Sequence, residues 1–277
     1  MTQRAVALGT FDGVHRGHRR VIEAAQAAGL PTTVITFDPH PRIALGNQVE
    51  LLTTLERRKE LLAELGVDET FVVSFTPELA LASPEEFAES VLRPLGTTVV
   101  AAGENFRFGR GRAGDLDTLA GLGFDVRRVP LVEGVSSSRI RQLLRAGEIE
   151  GAAQLLGRPP EVDGVVVAGD ARGGTLGYPT ANLAVPGELI VPAFGIYAGE
   201  AQGHRAAISI GVNPHYGGEE RRVEAFLLDF EGDLYGKRLV VALWRRLRDE
   251  RAFASEQELI EQIALDVDAA RAAEPPP

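Results

Sequence analysis

The composition of the chain changes at Gly157-Arg158-Pro159-Pro160, and this change constrains the fold more than any other feature. Before it, apolar strand-like runs alternate with helical segments that begin at residues typical of N-caps, such as Thr53 and Ser83. After it, short runs are separated by glycine turns. Strand–helix alternation is typical of a parallel sheet with helices on both faces, whereas short strands with glycine turns are typical of a small antiparallel barrel. We therefore predict an α/β protein with a Rossmann-like domain over residues 1–157 and a β-barrel domain over residues 158–277.

The spacing of apolar residues and turn signals predicts the individual elements. The strands predicted for the sheet are Arg4–Leu8, Thr32–Phe37, Glu69–Phe75, Thr97–Ala102 and Asp125–Pro130. The helices predicted between and after them are Arg19–Ala28, Leu55–Leu65, Pro84–Leu92, Asp115–Leu122, Ser138–Ala146 and Ile149–Leu156. The strands predicted for the barrel are Glu161–Ala168, Gly195–Ala201, Arg205–Ile210, Val223–Phe230 and Leu239–Leu247. A final helix, Glu256–Ala270, carries an apolar stripe of Leu259, Ile260, Ile263 and Val267, which we expect to pack against the barrel.

Composition excludes several classes of protein. The 277 residues contain no cysteine, which excludes disulfides and thiolate metal sites, and the formal net charge of −10 argues against a nucleic-acid surface. No apolar run is long enough to span a bilayer, and no signal peptide is recognisable at the start. We therefore expect a cytoplasmic protein that has small-molecule ligands and neither nucleic acid nor membrane as a partner.

The segment from Gly9 to His18, GTFDGVHRGH, carries the strongest chemical signal. His15 and His18 flank a glycine between a predicted strand and a predicted helix. Histidine side chains donate hydrogen bonds to phosphate oxygens, glycine lets a phosphate approach the backbone, and a helix N-terminus directs free N–H groups at the same place. The segment therefore predicts a nucleotide phosphate site. His40, Asn105 and the serines near residue 137 also follow predicted strands, so we expect one cleft to gather them.

Seven segments occur in one order along nearly the whole chain: GTFDGVHRGH (9–18), TFDPHP (36–41), GENFRFG (103–109), SSSRIR (136–141), LGYPTANL (176–183), SIGVNP (209–214) and VEAFLLDFEGDLYG (223–236). Together they resemble the bifunctional riboflavin kinase/FMN adenylyltransferase family, the prokaryotic FAD synthetases. The resemblance implies an N-terminal nucleotidyltransferase domain and a C-terminal riboflavin kinase barrel. One site would transfer the γ-phosphate of ATP to riboflavin, giving FMN, and the other would transfer AMP from ATP to FMN, giving FAD and pyrophosphate. Both steps would need Mg²⁺, with ATP as co-substrate.

The resemblance also implies roles for residues of the first domain. It assigns His15, His18, Ser137 and Arg141 to catalysis, as contacts to the ATP phosphates. It assigns ligand binding to Gly9, Phe11, Asp12, Gly17, His40 and Asn105. Two alternatives stay open at this point. His40 either faces the phosphates or caps a strand end, and Phe106 and Phe108 either stack on a flavin ring or pack in the core.

In the second domain, the resemblance places a Mg²⁺ ion on Thr180 and Asn182, after a glycine-rich loop that includes Gly177. Glu224 would be the general base for the ribityl hydroxyl of riboflavin, and its apolar strand predicts that it is buried. The chain departs from the family pattern at His215, where threonine is common, and at Phe226, where histidine is frequent. We expect His215 to alter the shape of the flavin pocket.

Three other functions are weighed against the bifunctional enzyme. The first is an FMN adenylyltransferase alone, with the barrel as a regulatory flavin-binding module. The second is a nucleotidyltransferase for another phosphorylated acceptor, because the H-x-G-H segment does not select the acceptor. The third is a binding protein for flavin or nucleotide without turnover. Thr180, Asn182 and Glu224 favour the bifunctional flavin enzyme over all three.

Overall fold

The computed structural model describes residues 2–169, 177–212 and 221–276. The chain forms two compact units. The first contains the residues up to Val49 together with Thr54–Ser136. The second contains Glu50–Thr53 and everything from Ser137 onward. This division lies between residues 136 and 137, whereas the predicted functional boundary lies between 157 and 158, and that functional boundary stays a prediction.

The first unit is built on a five-stranded parallel sheet, as predicted. Its strands are β1 (Arg4–Leu8), β2 (Thr32–Asp38), β3 (Glu69–Ser74), β4 (Thr97–Gly103) and β5 (Asp125–Val129), in the spatial order β3-β2-β1-β4-β5. The helices of this unit are α1 (Arg16–Gln26), α2 (Pro41–Ala44), α3 (Leu55–Glu64), α4 (Pro77–Leu81), α5 (Pro84–Phe87) and α6 (Leu116–Gly121). A π turn, Ala88–Leu92, continues α5.

Alternation along the central strand shows why helices cover both faces of the sheet. Val6 and Leu8 of β1 pack into one apolar cluster, while Ala5 and Ala7 pack into another on the opposite face. Successive side chains of a strand point to opposite faces, so a strand with apolar residues at every position must be buried on both sides. The sheet is therefore covered twice, and its ligand-binding residues are left at the ends of the strands.

The second unit contains a closed antiparallel barrel in the order β10-β7-β6-β11-β8-β9. Its strands are β6 (Glu161–Val167), β7 (Ala181–Ala184), β8 (Gly195–Ala201), β9 (His204–Val212), β10 (Arg221–Leu227) and β11 (Arg238–Arg248). Strand β7 is short and is not among the strands that the sequence predicts. Helices α7 (Ser137–Ala146) and α8 (Ile149–Leu156) share one core cluster with the barrel.

A short segment far upstream also belongs to the second unit. The Leu51 amide donates to the Glu188 carbonyl at 2.6 Å, and the Ile190 amide donates to the Leu51 carbonyl at 2.9 Å. The next side chain, Leu52, joins the core cluster of the barrel. Residues 50–53 are therefore an integral part of this unit, although the sequence separates them from it by more than eighty positions.

The last helix, α9 (Glu256–Ala272), packs on the barrel through Ala270, in one apolar cluster with Ala198 and Trp244, and through an ion pair of Asp266. Its buried residues are Asp266 and Ala270, while Leu259, Ile260, Ile263 and Val267 are only half-buried. Asp266 accepts two hydrogen bonds from Arg248 of β11, at 2.8 and 2.6 Å. The stripe residues are not part of the apolar cluster that joins α9 to the barrel, and their packing against the barrel stays a prediction. No helix among the described residues is long and apolar enough to cross a membrane.

Candidate active sites

The loop between β1 and α1 has a strained backbone. Phe11 and Val14 have φ values of 52° and 41°, in the left-handed region that residues with side chains rarely adopt. Both side chains are 1% exposed and pack in one core cluster, which holds the loop in this conformation. Asp12 lies between them and is also 1% exposed. The side chains of the predicted ligand-binding residues Phe11 and Asp12 are thus buried, and they help to set the conformation of the loop.

The two histidines of this segment form one unit at the start of α1. The His15 side chain caps the helix, because its Nδ1 accepts a hydrogen bond from the His18 amide at 3.3 Å. A backbone N–H only donates, so Nδ1 carries no proton and the neutral His15 ring carries its proton on Nε2. The rings of His15 and His18 stack with centroids 3.6 Å apart. The pair therefore presents a hydrogen-bond donor beside a helix N-terminus.

A side chain at Gly17 would crowd the His15 ring. A Cβ atom on Gly17 would lie 3.2 Å from Cε1 and Nδ1 of that ring, which is closer than side chains normally approach. Gly9 is similarly close to a ring, since its Cβ would lie 3.3 Å from Phe11. These two predicted ligand-binding glycines make room for the side chains of the motif itself.

His15, His40 and Asn105 follow the carboxyl ends of three neighbouring strands, β1, β2 and β4. Because these strands are parallel, the three residues lie at one edge of the sheet. His40 is 7% exposed and caps α2, its Nδ1 accepting from the Arg42 amide at 3.2 Å, so it caps a helix rather than a strand end. Asn105 is exposed. Phe108 packs in the core and Phe106 stacks on it, as the core-packing interpretation predicts.

Ser137 and Arg141 belong to the second unit. Ser137 is the first residue of α7. Arg141 is 6% exposed, and its Nε donates to the carbonyl of Glu50 at 2.5 Å. Arg141 therefore has a structural partner that the sequence did not indicate, and its phosphate contact stays a prediction.

The predicted kinase residues meet on the outer face of the barrel. Glu224 of β10 pairs directly with Asn182 of β7 in the antiparallel register. The Thr180 hydroxyl donates to Oε2 of Glu224 at 3.4 Å. Gly177 has a φ of 88°, which lets the chain turn into this strand. The structure thus brings Thr180, Asn182 and Glu224 together as an oxygen-rich cluster.

Glu224 is not buried as its strand predicted. Its side chain is 34% exposed, because Val223, Ala225 and Leu227 take the interior positions of β10 and Glu224 faces outward. Nη1 of Arg222 lies 4.0 Å from Oε1 of Glu224. On the same face, Phe226 makes an edge contact with Tyr178, with ring centroids 5.4 Å apart. His215 and most of the glycine-rich loop, residues 170–176, lie outside the described residues.

Two residues near the candidate sites, Arg222 and Arg58, are not predicted from the sequence. Arg222 lies two positions before Glu224, and the period of two in a strand would have placed both on one face. Arg58 of α3 is 2% exposed and is hydrogen bonded beneath the loop of the first site, which no local pattern signals. Burial lowers the pKa of the Arg58 guanidinium, and the carboxylates of Asp12 and Asp38 oppose that shift.

The comparisons with known proteins agree with this geometry. A family model described as FAD synthetase matches residues 1–141, and a family model described as riboflavin kinase matches residues 156–273. The chain is 37% identical to a bifunctional riboflavin kinase/FMN adenylyltransferase of Listeria monocytogenes, over 97% of this chain and 92% of that protein. It is 36% identical to the protein of the same name from Bacillus subtilis, over 94% of this chain and 89% of the relative.

A solved structure of a Streptococcus pneumoniae protein, described as a macrolide-efflux protein, superposes with a TM-score of 0.89. It shares 32% sequence identity, and the match covers 99% of this chain and 96% of that one. Both family models, the relatives that span almost the full length, and the two oxygen- and histidine-lined sites lead to one conclusion. The chain belongs to the bifunctional riboflavin kinase/FMN adenylyltransferase family, whose substrates are riboflavin, FMN and ATP.

Proposed function

We propose that this chain makes FMN from riboflavin and ATP at the barrel and FAD from FMN and a second ATP at the edge of the parallel sheet. The observation that carries the proposal is the Thr180–Asn182–Glu224 cluster, because the histidine segment alone does not select a flavin acceptor. The cluster is the geometry that the kinase reaction needs, with a carboxylate beside oxygen ligands. We also propose a cytoplasmic location, which the absence of cysteine from the sequence supports.

In adenylyl transfer, a phosphate oxygen of FMN attacks the α-phosphorus of ATP, and pyrophosphate leaves. The attacking phosphate already carries lone pairs, so the site needs no general base, and positioning with charge stabilisation suffices. His15 donates from Nε2, because its Nδ1 is held by the His18 amide. His18 stacks on it and offers the second ring. We assign Ser137 and Arg141 the phosphate contacts that the family resemblance implies.

In the kinase reaction, the ribityl hydroxyl of riboflavin attacks the γ-phosphorus of ATP, and ADP leaves. Glu224 accepts the proton from that hydroxyl as the new O–P bond forms. Nη1 of Arg222 lies 4.0 Å from Oε1 of Glu224 and helps to hold the carboxylate in place. Tyr178 and Phe226, which meet edge to face on the same side of the strand, offer aromatic rings against which a flavin ring can pack.

The residues of the barrel face fit a Mg²⁺ ion. Mg²⁺ in ATP-using enzymes is held by one or two protein oxygens together with the substrate phosphates and water. Thr180 supplies a hydroxyl oxygen and Asn182 an amide oxygen, and among the described residues no cluster of three or more histidine or carboxylate side chains competes with them. When bound, the ion would neutralise charge on the phosphates.

The test is a time course with purified protein, riboflavin, ATP and Mg²⁺, followed by chromatographic separation of the flavins. We expect FMN first and FAD after it, and we expect a chelator to stop both steps. FMN that accumulates without FAD would contradict the assignment of the sheet-edge site. Riboflavin that persists while added FMN becomes FAD would favour the regulatory barrel. No conversion of either flavin would leave another acceptor or a binding protein as the function.

A further inference from the structure

Arg58 is a buried cation beneath the histidine segment. It projects from α3 into the first unit and is 2% exposed. Its Nη1 donates to Oγ1 of Thr36 at 3.1 Å and to the Phe37 carbonyl at 3.5 Å. Its Nε has no hydrogen-bond partner among the described residues. Burying a guanidinium with an unsatisfied donor is costly, so this position is not explained by packing or hydrogen bonding alone.

Thr36 extends this contact to the loop of the adenylyl-transfer site. Its hydroxyl accepts from Arg58 and donates its own proton to the carbonyl of Thr10 at 2.8 Å. Thr36 is fully buried, so water does not compete with either bond. A continuous chain of hydrogen bonds therefore runs from α3 through β2 to the second residue of GTFDGVHRGH.

The loop between β1 and α1, where these hydrogen bonds end, needs support from the residues around it. Phe11 and Val14 hold φ values of 52° and 41°, which a free loop would not keep. Asp12, between them, is 1% exposed, and its charge favours the cationic form of Arg58. A buried positive charge adds to the support from core packing, because it attracts the Asp12 carboxylate and donates to Thr36 at the same time.

We propose that Arg58 and Thr36 are positioning residues for adenylyl transfer. They fix the Thr10 carbonyl and the Asp12 carboxylate, and through this loop they fix the place where His15 begins α1. Neither residue touches substrate. The inference rests on the proposed function, because it assigns these residues to the adenylyl-transfer site, and it adds a buried support that lies outside the motif.

The test compares four single variants and one double variant of the full chain. Arg58→Met removes the charge at similar length, Arg58→Lys keeps the charge, and Thr36→Val removes the hydroxyl at constant volume. Lys59→Met is the matched control, because it removes an exposed charge from the same helix. For each variant, kcat and the KM for ATP are measured for FAD formation from FMN. FMN formation from riboflavin in the same preparation serves as the internal reference, since its residues lie in the other unit.

We expect Arg58→Met to lower kcat for FAD formation about 10- to 100-fold and to change the KM for ATP less than about 3-fold, because misplaced groups weaken the transition state more than the ground state. Thr36→Val should lower kcat about 3- to 10-fold, while Arg58→Lys should stay within about 3-fold of the unmodified chain. The double variant Arg58→Met/Thr36→Val should lose little beyond Arg58→Met alone, because the two residues act in one chain of bonds. Lys59→Met and all FMN formation should be unchanged.

Three results would overturn the inference: an unchanged kcat in Thr36→Val, equal losses in Arg58→Lys and Arg58→Met, or a loss in Arg58→Met that lies only in the KM. If Arg58→Met loses its near-UV circular dichroism signal, Thr36→Val and Arg58→Lys decide the question. The unmodified chain is measured first. A failure to make FAD there contradicts the proposed function itself and is thus distinguished from a failure of the positioning role.

Discussion

At the scale of single residues, His15 is a helix cap to which we also assign a phosphate contact. One ring nitrogen caps α1, and we propose that the other donates to a phosphate. The sequence indicated the phosphate role, through the histidine spacing, but not the cap. It also did not indicate the support from Arg58, because that contact joins residues 22 positions apart that share no local pattern. The sequence therefore indicates which residues are candidates for the site, whereas tertiary contacts set their hydrogen-bond partners.

We expect that substitution can separate the capping of α1 by His15 from its proposed contact with a phosphate. In His15→Asn, the amide oxygen still caps α1, so the free energy of unfolding should change by less than about 0.5 kcal/mol. The ring donor is lost, and FAD formation should fall about 100-fold or more. His15→Ala should lose the activity and also about 1 kcal/mol of stability. Urea denaturation and a coupled FAD assay measure the two effects.

The matched control is Thr76→Ala, which removes the side-chain cap of α4 at a position that carries no proposed role. It should cost about 1 kcal/mol and leave FAD formation intact. If His15→Asn retains activity, the ring does not act on the phosphates. A large loss of stability in His15→Asn would mean that its ring, rather than its cap, holds the loop.

Glu224 is predicted to act only in FMN formation. Glu224→Gln keeps the size of the side chain and one acceptor oxygen but removes the base, so FMN formation should fall about 100- to 10,000-fold. FAD formation from added FMN should be unchanged. Glu200→Gln, on strand β8 of the same barrel, is the control and should leave both rates intact. Equal losses of both activities in Glu224→Gln would contradict the separation of the two sites.

At the scale of elements, the predicted positions were accurate where the hydrophobic pattern was strong. Strand β1 and strand β8 begin and end at the predicted residues. Helix α1 begins three residues earlier than predicted, at Arg16, because His15 rather than a conventional N-cap residue starts it. Strand β7 was missed because four residues with one polar side chain give no period. Helix α9 carries the expected stripe, but the residues that it buries are Asp266 and Ala270.

The contact of α9 with the barrel predicts a specific cost. Asp266→Ala leaves Arg248, whose side chain is 22% exposed, without its carboxylate partner, and we expect a loss of about 3 kcal/mol in the free energy of unfolding. Asp268→Ala removes an exposed carboxylate from the same helix and should cost less than about 0.5 kcal/mol. Denaturation followed by fluorescence of Trp244, which packs beside Ala270, measures both. Equal stabilities of the two variants would show that the ion pair does not hold the helix.

At the scale of the whole molecule, the order of the segments predicted an α/β half and a barrel half, and both are present. The sequence does not show that residues 50–53, α7 and α8 belong to the barrel unit. A helix next to a linker carries no local pattern that indicates with which of its two neighbouring domains it packs. That assignment depends on long-range packing, such as Leu52 and Ile140 in one core cluster.

Because the two proposed sites use different residues, two defective variants should complement each other. His18→Ala should stop at FMN, and Glu224→Gln should leave riboflavin unchanged. An equal mixture should convert riboflavin to FAD after a lag, since FMN released by one variant diffuses to the other. Chromatography of the flavins over time measures the lag, and the separate variants are the controls. A mixture that makes no FAD would mean that FMN passes only within one chain.

The interlaced second unit also limits how genes of this family can exchange parts. A recombination event near codon 157 would join a foreign barrel to the native α7, α8 and residues 50–53, which pack in one core with the native barrel. The core side chains of the foreign barrel would then pack against segments with which they had not evolved, and the shared core would be poorly packed. We therefore expect residues 50–53, α7, α8 and the barrel to be inherited together, even though the linker near residue 157 looks like a domain boundary in the sequence.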